Sequence, residues 1–147
     1  MEDTDQLVQL ETECFGVEAW TVAMIEDEIT GPYRAYLVAQ APDGTVLGYG
    51  GVFMGLDSAE IMTLAVATAA RGQGLGRQLL DALIAEARQA GILQVMLEVA
   101  VDLEPAIGLY LSAGFENVGL RRNYYQPSGR DAHVMRLALT ADPAVPR

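Results

Sequence analysis

The chain has 147 residues, of which 51% are hydrophobic and 20% are charged, and nine basic against twenty acidic side chains give it a formal net charge of −11. This length suits one domain whose core needs no disulfide or metal ion, and the composition is too apolar for an intrinsically disordered chain. Cys14 is the only cysteine, which excludes an internal disulfide and a multi-thiolate zinc site, so we expect no metal.

Targeting signals are absent from the sequence as given. No run approaches the roughly 18 apolar residues of a membrane span, and the acidic start Met1-Glu2-Asp3 is the reverse of a secretory signal. We therefore expect a cytoplasmic protein with no membrane contact.

All nine basic residues are arginines. Without lysine, the chain cannot form the phosphate-binding loop of NTPases, the kinase strand lysine or a Schiff base. The acidic balance disfavours direct nucleic-acid binding, because basic side chains must neutralise the phosphates. It favours a cationic partner, although acidity that only keeps the protein soluble is the alternative.

The first half of the chain predicts two helices and three strands. Gly31-Pro32 ends the second helix, and Pro42-Asp43-Gly44-Thr45 is typical of a hairpin turn between the first two strands. The two runs that flank this turn are typical of strands, and the run AEIMTLAV is a third strand-like run. The predicted helices cover about residues 4–14 and 21–30, and the strands cover 36–41, 46–54 and 59–66.

The second half of the chain begins with apolar residues at the spacing of a helix. Leu79, Leu80 and Leu83 share one face of a helix predicted from about residue 74 to 90. The largely apolar run 92–99 is typical of a strand buried on both faces. A short helix at 104–113 and strands at 115–122 and 132–139 complete a mixed-sheet α/β domain over residues 1–139, with 140–147 as a frayed tail.

The most informative segment, Ala70 to Arg77, connects the third strand to the long helix and has glycines at positions 72, 74 and 76. Inside a first helical turn each glycine costs roughly 0.5–1 kcal/mol relative to alanine, a cost typical of places where a ligand approaches the backbone. Free N–H groups at a helix N-terminus bind phosphate, and Arg71 would add charge. A purely structural turn would explain two of the three glycines. The spacing does not fit the dinucleotide fingerprint, which favours the pyrophosphate of another cofactor.

Arg71-Gly72-Gln73-Gly74-Leu75-Gly76 resembles the Arg/Gln-x-x-Gly-x-Gly/Ala signature of the GNAT superfamily of acyl-CoA-dependent N-acetyltransferases. Further segments, in order and suitably spaced, are similar to its ribosomal-protein-alanine (RimI) type. They are Glu13 to Trp20, Leu97-Glu98-Val99, Ala106 to Phe115, and Arg121 to Met135. The resemblance covers about residues 5–139. It implies an α/β (α+β) fold with a mixed, mostly antiparallel central sheet of six to seven strands and about four helices.

The resemblance also implies acetyl-CoA as the acyl donor. The backbone of the glycine segment would hold its pyrophosphate, while the preceding strand would pair with pantetheine and offer an amide to the thioester oxygen. Such a donor to a developing oxyanion is typically worth about 3 kcal/mol. The residues implied are Leu64, Ala65, Val66, Arg71, Gly72, Gln73, Gly74, Leu75 and Gly76. Arg77 is added to them because its charge lies at the same place as that of Arg71.

Attack of an amine on a thioester needs a neutral amine and a proton for the departing thiolate. The resemblance implies Glu98 as the base and Tyr110 as the acid. Glu98 is the only charged residue in the run 92–99, and Tyr110 lies on the helix after that strand. From the residues alone, Glu98 as an exposed strand residue and Tyr110 as a core aromatic stay open.

The acceptor class follows from amine pKa values. An α-amine, with a pKa of about 7.7–8.0, is neutral at pH 7 far more often than a Lys amine at about 10.4, which favours a protein N-terminus. A ribosomal protein or a similar basic chain would also suit the net charge of −11. The resemblance agrees and implies a substrate slot formed by Phe15, Trp20, Arg122, Tyr124 and Tyr125. Acetylation of a Lys side chain or a small amine, and a non-catalytic acyl-CoA-binding module, are the alternatives.

Four residues stand apart from this pattern. Leu103 occupies the position where the family usually has a cofactor-contacting Asn, and Ala100 one where it often has Arg, which puts the affinity for the cofactor in question. We interpret His133, the only histidine, as a hydrogen-bonded strand residue and Cys14 as a small buried residue.

Overall fold

The structure is a computed structural model that describes residues 2–139; the tail predicted at 140–147 lies outside them. Four helices and six strands follow one another in the predicted order. Two short 3₁₀ turns, Gly16–Glu18 and Thr68–Ala70, are additional. The elements are α1 (Glu2–Phe15), α2 (Val22–Thr30), β1 (Arg34–Gln40), β2 (Val46–Met54), β3 (Ala59–Val66), α3 (Leu75–Gln89), β4 (Gln94–Ala100), α4 (Glu104–Ser112), β5 (Glu116–Arg121) and β6 (Ala132–Ala138).

The strands form one six-stranded sheet in the order β1-β2-β3-β4-β6-β5. Over the described residues, β3 and β4 are the only parallel neighbours, and every other pair is antiparallel. The mixed, mostly antiparallel sheet with four helices is therefore confirmed. No helix between residues 2 and 139 combines the length and the apolar character that a membrane crossing requires.

Helices cover both faces of the sheet. On one face, α3 contributes Leu80 and Leu83, both 0% exposed, to a buried cluster that includes Val95 of β4. On the other face, Leu10 of α1 and Tyr49 of β2 belong to a second buried cluster. Full burial of each such side chain stabilises the fold by roughly 1.5–3 kcal/mol, so the two clusters hold the helices in place.

One face of β4 is buried along the whole strand, whereas the other is only half-buried as far as Glu98 and buried at Ala100, so the expectation of a strand buried on both faces was wrong. Val95, Leu97 and Val99 are buried, whereas the residues that alternate with them, from Gln94 to Glu98, are half-buried. The reason is the position of α1 and α2, whose main contacts are with β1, β2 and β3, so that they cover this face of β4 less completely. Glu98 therefore lies at a partly open surface.

A β-bulge reverses the alternation of β3 halfway along the strand. Ile61 pairs with Val52 and Thr63 pairs with Gly51, which leaves Met62 as an extra residue. Ile61 belongs to the cluster under α3, whereas Thr63 hydrogen-bonds a side chain of α1. Before the bulge the odd-numbered side chains of β3 face α3, and after the bulge the even-numbered ones do.

β3 and β4 separate soon after they begin. They pair only where Ala59 meets Val95 and Glu60 meets Met96. Both strands then continue for at least four more residues without pairing to each other again. The gap between them opens the sheet beside the glycine segment and α4, and it positions the candidate site.

Candidate active site

Two adjoining cavities occupy this region. The loop cavity, of about 390 Å³, is bounded by the end of β3, the glycine segment and α4. The acidic cavity, of about 120 Å³, is bounded by β3, β4, the α1–α2 connection and the segment before β6. A ligand in the loop cavity would therefore end next to the acidic one. The residues that line both are Phe15, Leu64, Leu103, Ala106 and Tyr110.

The glycine segment presents bare backbone to the loop cavity. Gly72 and Gly74 have φ angles of +80° and +79°, a conformation that favours glycine. A Cβ at Gly76 would make only an ordinary van der Waals contact, 3.4 Å from Leu109 Cδ2, so packing against α4 does not itself require glycine here. No side chain caps the start of α3 at Leu75. Its first N–H groups thus lack helical partners at the positive end of the helix dipole, an arrangement that suits an anion.

The two arginines that flank this segment also bond within the protein. Arg71 Nε donates to the Val66 carbonyl at 3.1 Å, which ties the segment to the end of β3. Arg77 Nε lies 2.9 Å from Asp81 Oδ1, and its Nη1 donates to the Ser112 carbonyl at 3.3 Å. Both arginines are exposed in the wall of the cavity.

Nine of the ten residues predicted to bind the cofactor line the loop cavity. The exception is Gln73, which is exposed and does not contribute to its wall. Leu103, noted above as a departure from the family pattern, lines it with an apolar side chain. The nine are Leu64, Ala65, Val66, Arg71, Gly72, Gly74, Leu75, Gly76 and Arg77.

Glu98 lines the acidic cavity from β4. Arg121 Nε lies 3.1 Å from Glu98 Oε1, and the Glu98 side chain is 12% exposed. The Glu60 carboxyl on β3 lies beside it, and the pKa of Glu60 is raised by burial and by the neighbouring Glu98. Sequence analysis named Glu98 and missed Glu60, although Glu60 is the only charged residue of the run 59–66, the same signal that singled out Glu98.

Tyr110 borders both cavities and is 7% exposed. Burial, with a smaller contribution from the nearby Tyr125, raises the pKa of the Tyr110 phenol well above its ordinary value. The hydroxyl therefore stays protonated at neutral pH and can donate a proton. The Phe115 ring packs edge-on, 5.8 Å away between ring centroids, and fixes the orientation of the phenol ring.

Three of the five residues predicted to bind the substrate lie together. Phe15, Trp20 and Tyr125 line the acidic cavity. Tyr124 stacks edge-on against Tyr125 with ring centroids 5.0 Å apart but does not line the cavity, and Arg122 is exposed outside it. The roles of these two residues stay predictions.

Glu11, which sequence analysis missed, is a fully buried carboxylate in the wall of the acidic cavity. Its Oε2 accepts hydrogen bonds from Tyr49 Oη at 2.5 Å and from Thr63 Oγ1 at 2.8 Å. Its Oε1 accepts from the Trp20 amide at 3.1 Å. Glu11 follows Leu7 and Leu10 on the buried face of α1, and this helical spacing was a usable signal.

A second missed group bridges two loops across the acidic cavity. Arg130 Nη1 lies 2.6 Å from Asp102 Oδ1, and its Nη2 lies 3.5 Å from Glu18 Oε2. The Ser128 hydroxyl donates to Glu18 as well, and the Arg130 guanidinium lies 5.5 Å from the centroid of the Tyr125 ring. The α1–α2 connection is thereby joined to the segment before β6.

The two residues interpreted as structural lie as follows. His133 lies on β6 and lines neither cavity, and its Nδ1 is 2.8 Å from Nδ2 of Asn117 on β5. Cys14 is half-buried in the wall of the loop cavity, and burial raises the pKa of its thiol. Arg71 Nη2 lies 3.4 Å from the Cys14 sulfur, a contact between residues far apart in sequence.

Comparison with known proteins decides the family. The profile of the acetyltransferase (GNAT) family matches residues 4–115. The chain belongs to the GNAT acetyltransferase family. Like its relatives, this GNAT protein is an N-acetyltransferase, and enzymes of this family use acetyl-CoA as the acyl donor.

Relatives place this GNAT enzyme with the RimI type. It is 40% identical over 139 residues to the N-alpha-acetyltransferase RimI of Mycobacterium tuberculosis, which covers 91% of this chain and 85% of that protein. It is 42% identical over 139 residues to the uncharacterized protein ML0378 of Mycobacterium leprae, but spans only 38% of that protein's length. The crystal structure of the ribosomal-protein-S18-alanine N-acetyltransferase from Escherichia coli superposes with a TM-score of 0.84 and 28% identity, covering 100% of this chain and 95% of that one.

Proposed function

We propose that this GNAT enzyme acetylates the N-terminal α-amine of a protein, with a basic ribosomal protein that begins with Ala or Ser as its substrate. The observation that carries the proposal is the junction of the two cavities at Tyr110, one edged by free backbone N–H groups and the other by Glu98. The names of the relatives, one of which acts on the alanine of ribosomal protein S18, support the choice of substrate.

The loop cavity suits acetyl-CoA. The uncapped N-terminus of α3 offers N–H donors to a pyrophosphate, and Arg71 and Arg77 lie beside it. Leu64, Ala65 and Val66 continue β3 beyond its pairing with β4, so this edge of the strand can pair with an extended ligand. Bound acetyl-CoA supplies a thioester that an amine can attack.

The acidic cavity suits an α-amine. A terminal ammonium beside the Glu98 carboxylate would be attracted to it and could lose its proton there. Because the pKa of an α-amine is only about 7.7–8.0, a carboxylate of modest basicity suffices. Phe15, Trp20 and Tyr125 offer apolar surface to the first residues of a peptide.

Tyr110→Phe tests the acid. We expect kcat to fall roughly 10- to 100-fold, because the departing thiolate loses its proton donor, while the Kd for CoA stays within about twofold. Steady-state kinetics and calorimetry with CoA measure the two quantities. Tyr33→Phe, which removes the hydroxyl of an exposed tyrosine, is the matched control. Equal losses in kcat and CoA affinity would show that the Tyr110 hydroxyl has only a structural role.

Mass spectrometry of peptides incubated with the enzyme and acetyl-CoA tests the acceptor. We expect one acetyl group on the free N-terminus of an Ala- or Ser-initiated peptide, and a rate that depends on the first residue. An N-terminally blocked peptide with an internal Lys is the control and should stay unmodified. Acetylation of that Lys, or a rate indifferent to the first residue, would favour a Lys or small-amine acetyltransferase. Binding of CoA without transfer to any amine would indicate a non-catalytic module.

A further inference from the structure

Glu60 lies one strand away from Glu98 and on the same side of the sheet. Glu60 is paired with Met96 in the parallel register of β3 and β4, and Glu98 is the next residue of β4 on that face. Both side chains are half-buried, and the register of the two strands brings their carboxyl groups close enough for each to affect the ionisation of the other. Two carboxyl groups this close can hydrogen-bond to each other only if one proton lies between them.

The groups around the pair determine its charge. Arg121 faces it from β5, with Nε 3.1 Å from Glu98 Oε1, and Tyr124 faces it from the segment after β5. Glu28 faces it from α2, but that carboxylate already accepts from Arg34 Nε at 3.1 Å and Tyr36 Oη at 2.7 Å. One guanidinium therefore serves two carboxyl groups, which favours a single negative charge on the pair.

Titration of the pair agrees with this geometry. Burial, followed by the hydrogen bond and charge of Glu98, raises the pKa of Glu60 to about 7, and the Arg121 charge opposes the shift. Two close carboxyl groups titrate as a unit, so this value belongs to the pair. The proton that they share leaves in the pH range in which an α-amine also becomes neutral.

We propose that Glu60 is a positioning residue that shares one proton with Glu98 and sets the proton affinity of the base. While Glu60 is protonated, its O–H stabilises the Glu98 carboxylate and weakens it as a base. Once Glu60 ionises, the doubly charged pair attracts the substrate ammonium more strongly. The pair then takes its proton: an amine N–H bond breaks, a carboxyl O–H bond forms, and the electron pair stays on nitrogen. This inference rests on the proposed function.

Glu60→Gln isolates the role, because glutamine keeps an N–H donor for Glu98 and stays neutral at every pH. We expect kcat/KM relative to wild type to be highest near pH 6 and to fall about tenfold by about pH 8.5, since only the wild-type pair can become doubly charged. The ratio cancels the ionisation of the substrate, which is common to both proteins. Glu26→Gln, which removes an exposed carboxylate on α2, is the matched control and should give a flat ratio.

Carbon-13 NMR titration of the glutamate carboxyls in the free protein gives a readout that does not need turnover. We expect one transition near pH 7 that is absent in Glu60→Gln, and that moves to a more acidic pH in Glu98→Gln because the like charge is gone. Wild-type carboxyls that all titrate below about pH 5.5, or a Glu60→Gln loss that is equal at every pH, would overturn the inference. A pair that titrates near pH 7 in a protein that acetylates no N-terminal peptide would overturn the proposed function instead.

Discussion

Glu98→Gln lowers kcat/KM for an N-terminal peptide by about 10²- to 10³-fold near pH 7, with partial recovery at higher pH. Removal of a positioned general base typically costs this much, and the loss shrinks once the amine deprotonates without help. The α-amine pKa of about 7.7–8.0 places the recovery above about pH 8. Steady-state rates with an Ala-initiated peptide between about pH 6 and 9.5 measure the profile.

Two controls accompany the Glu98 variant. Calorimetry should show CoA affinity close to wild type, since Glu98 lines the acidic cavity and not the loop cavity. Glu26→Gln removes an exposed carboxylate elsewhere and should leave the profile unchanged. If the Glu98→Gln profile runs parallel to that of wild type across the whole pH range, Glu98 is not the base.

Glu11→Ala lowers the free energy of unfolding by about 3 kcal/mol, the largest loss of stability that we expect from a single polar residue in this chain. The substitution leaves the hydroxyls of Tyr49 and Thr63 and the amide of Trp20 without their acceptor. Tyr49 is 0% exposed, so water cannot readily replace the lost carboxylate there. Urea unfolding followed by tryptophan fluorescence measures the change, because Trp20 is the only tryptophan.

Glu11→Gln and Glu26→Ala calibrate this result. The glutamine keeps one carbonyl acceptor and should lose less stability than the alanine variant. Glu26 is exposed on α2, and surface substitutions of this kind usually change stability by no more than about 0.5 kcal/mol. A Glu11→Ala protein as stable as Glu26→Ala would mean that the three donors find other partners.

Local patterns predicted the elements well because their signals lie within a few residues of each other. The strands at 46–54 and 59–66 have the predicted bounds, and α3 begins and ends within one residue of its prediction. The double burial of β4 was wrong because it depends on which helix covers that face. The residues of the run 92–99 do not indicate where α1 and α2 pack on the sheet.

The candidate site shows the same division. The glycine segment and Glu98 stand out in the sequence itself, because glycine in a first helical turn and a lone charge in an apolar run are local anomalies. Arg130 and Glu18 do not stand out, because their meaning comes from a contact across 112 residues of chain. Glu60 falls between these cases: the local signal was present, but its partner becomes visible only in the register of two strands.

The extra residue at Met62 has a consequence for how this strand can vary. Upstream of the bulge, odd-numbered positions contribute to the cluster under α3, and downstream the even-numbered Leu64 does so instead. Glu60 lies before the bulge, whereas Leu64, Ala65 and Val66, which we propose to pair with acetyl-CoA, lie after it. Any insertion or deletion of one residue here would exchange inward and outward side chains along half of the strand. Substitutions can therefore change the side chains of either half of β3 independently, whereas the number of residues around Met62 has to stay the same.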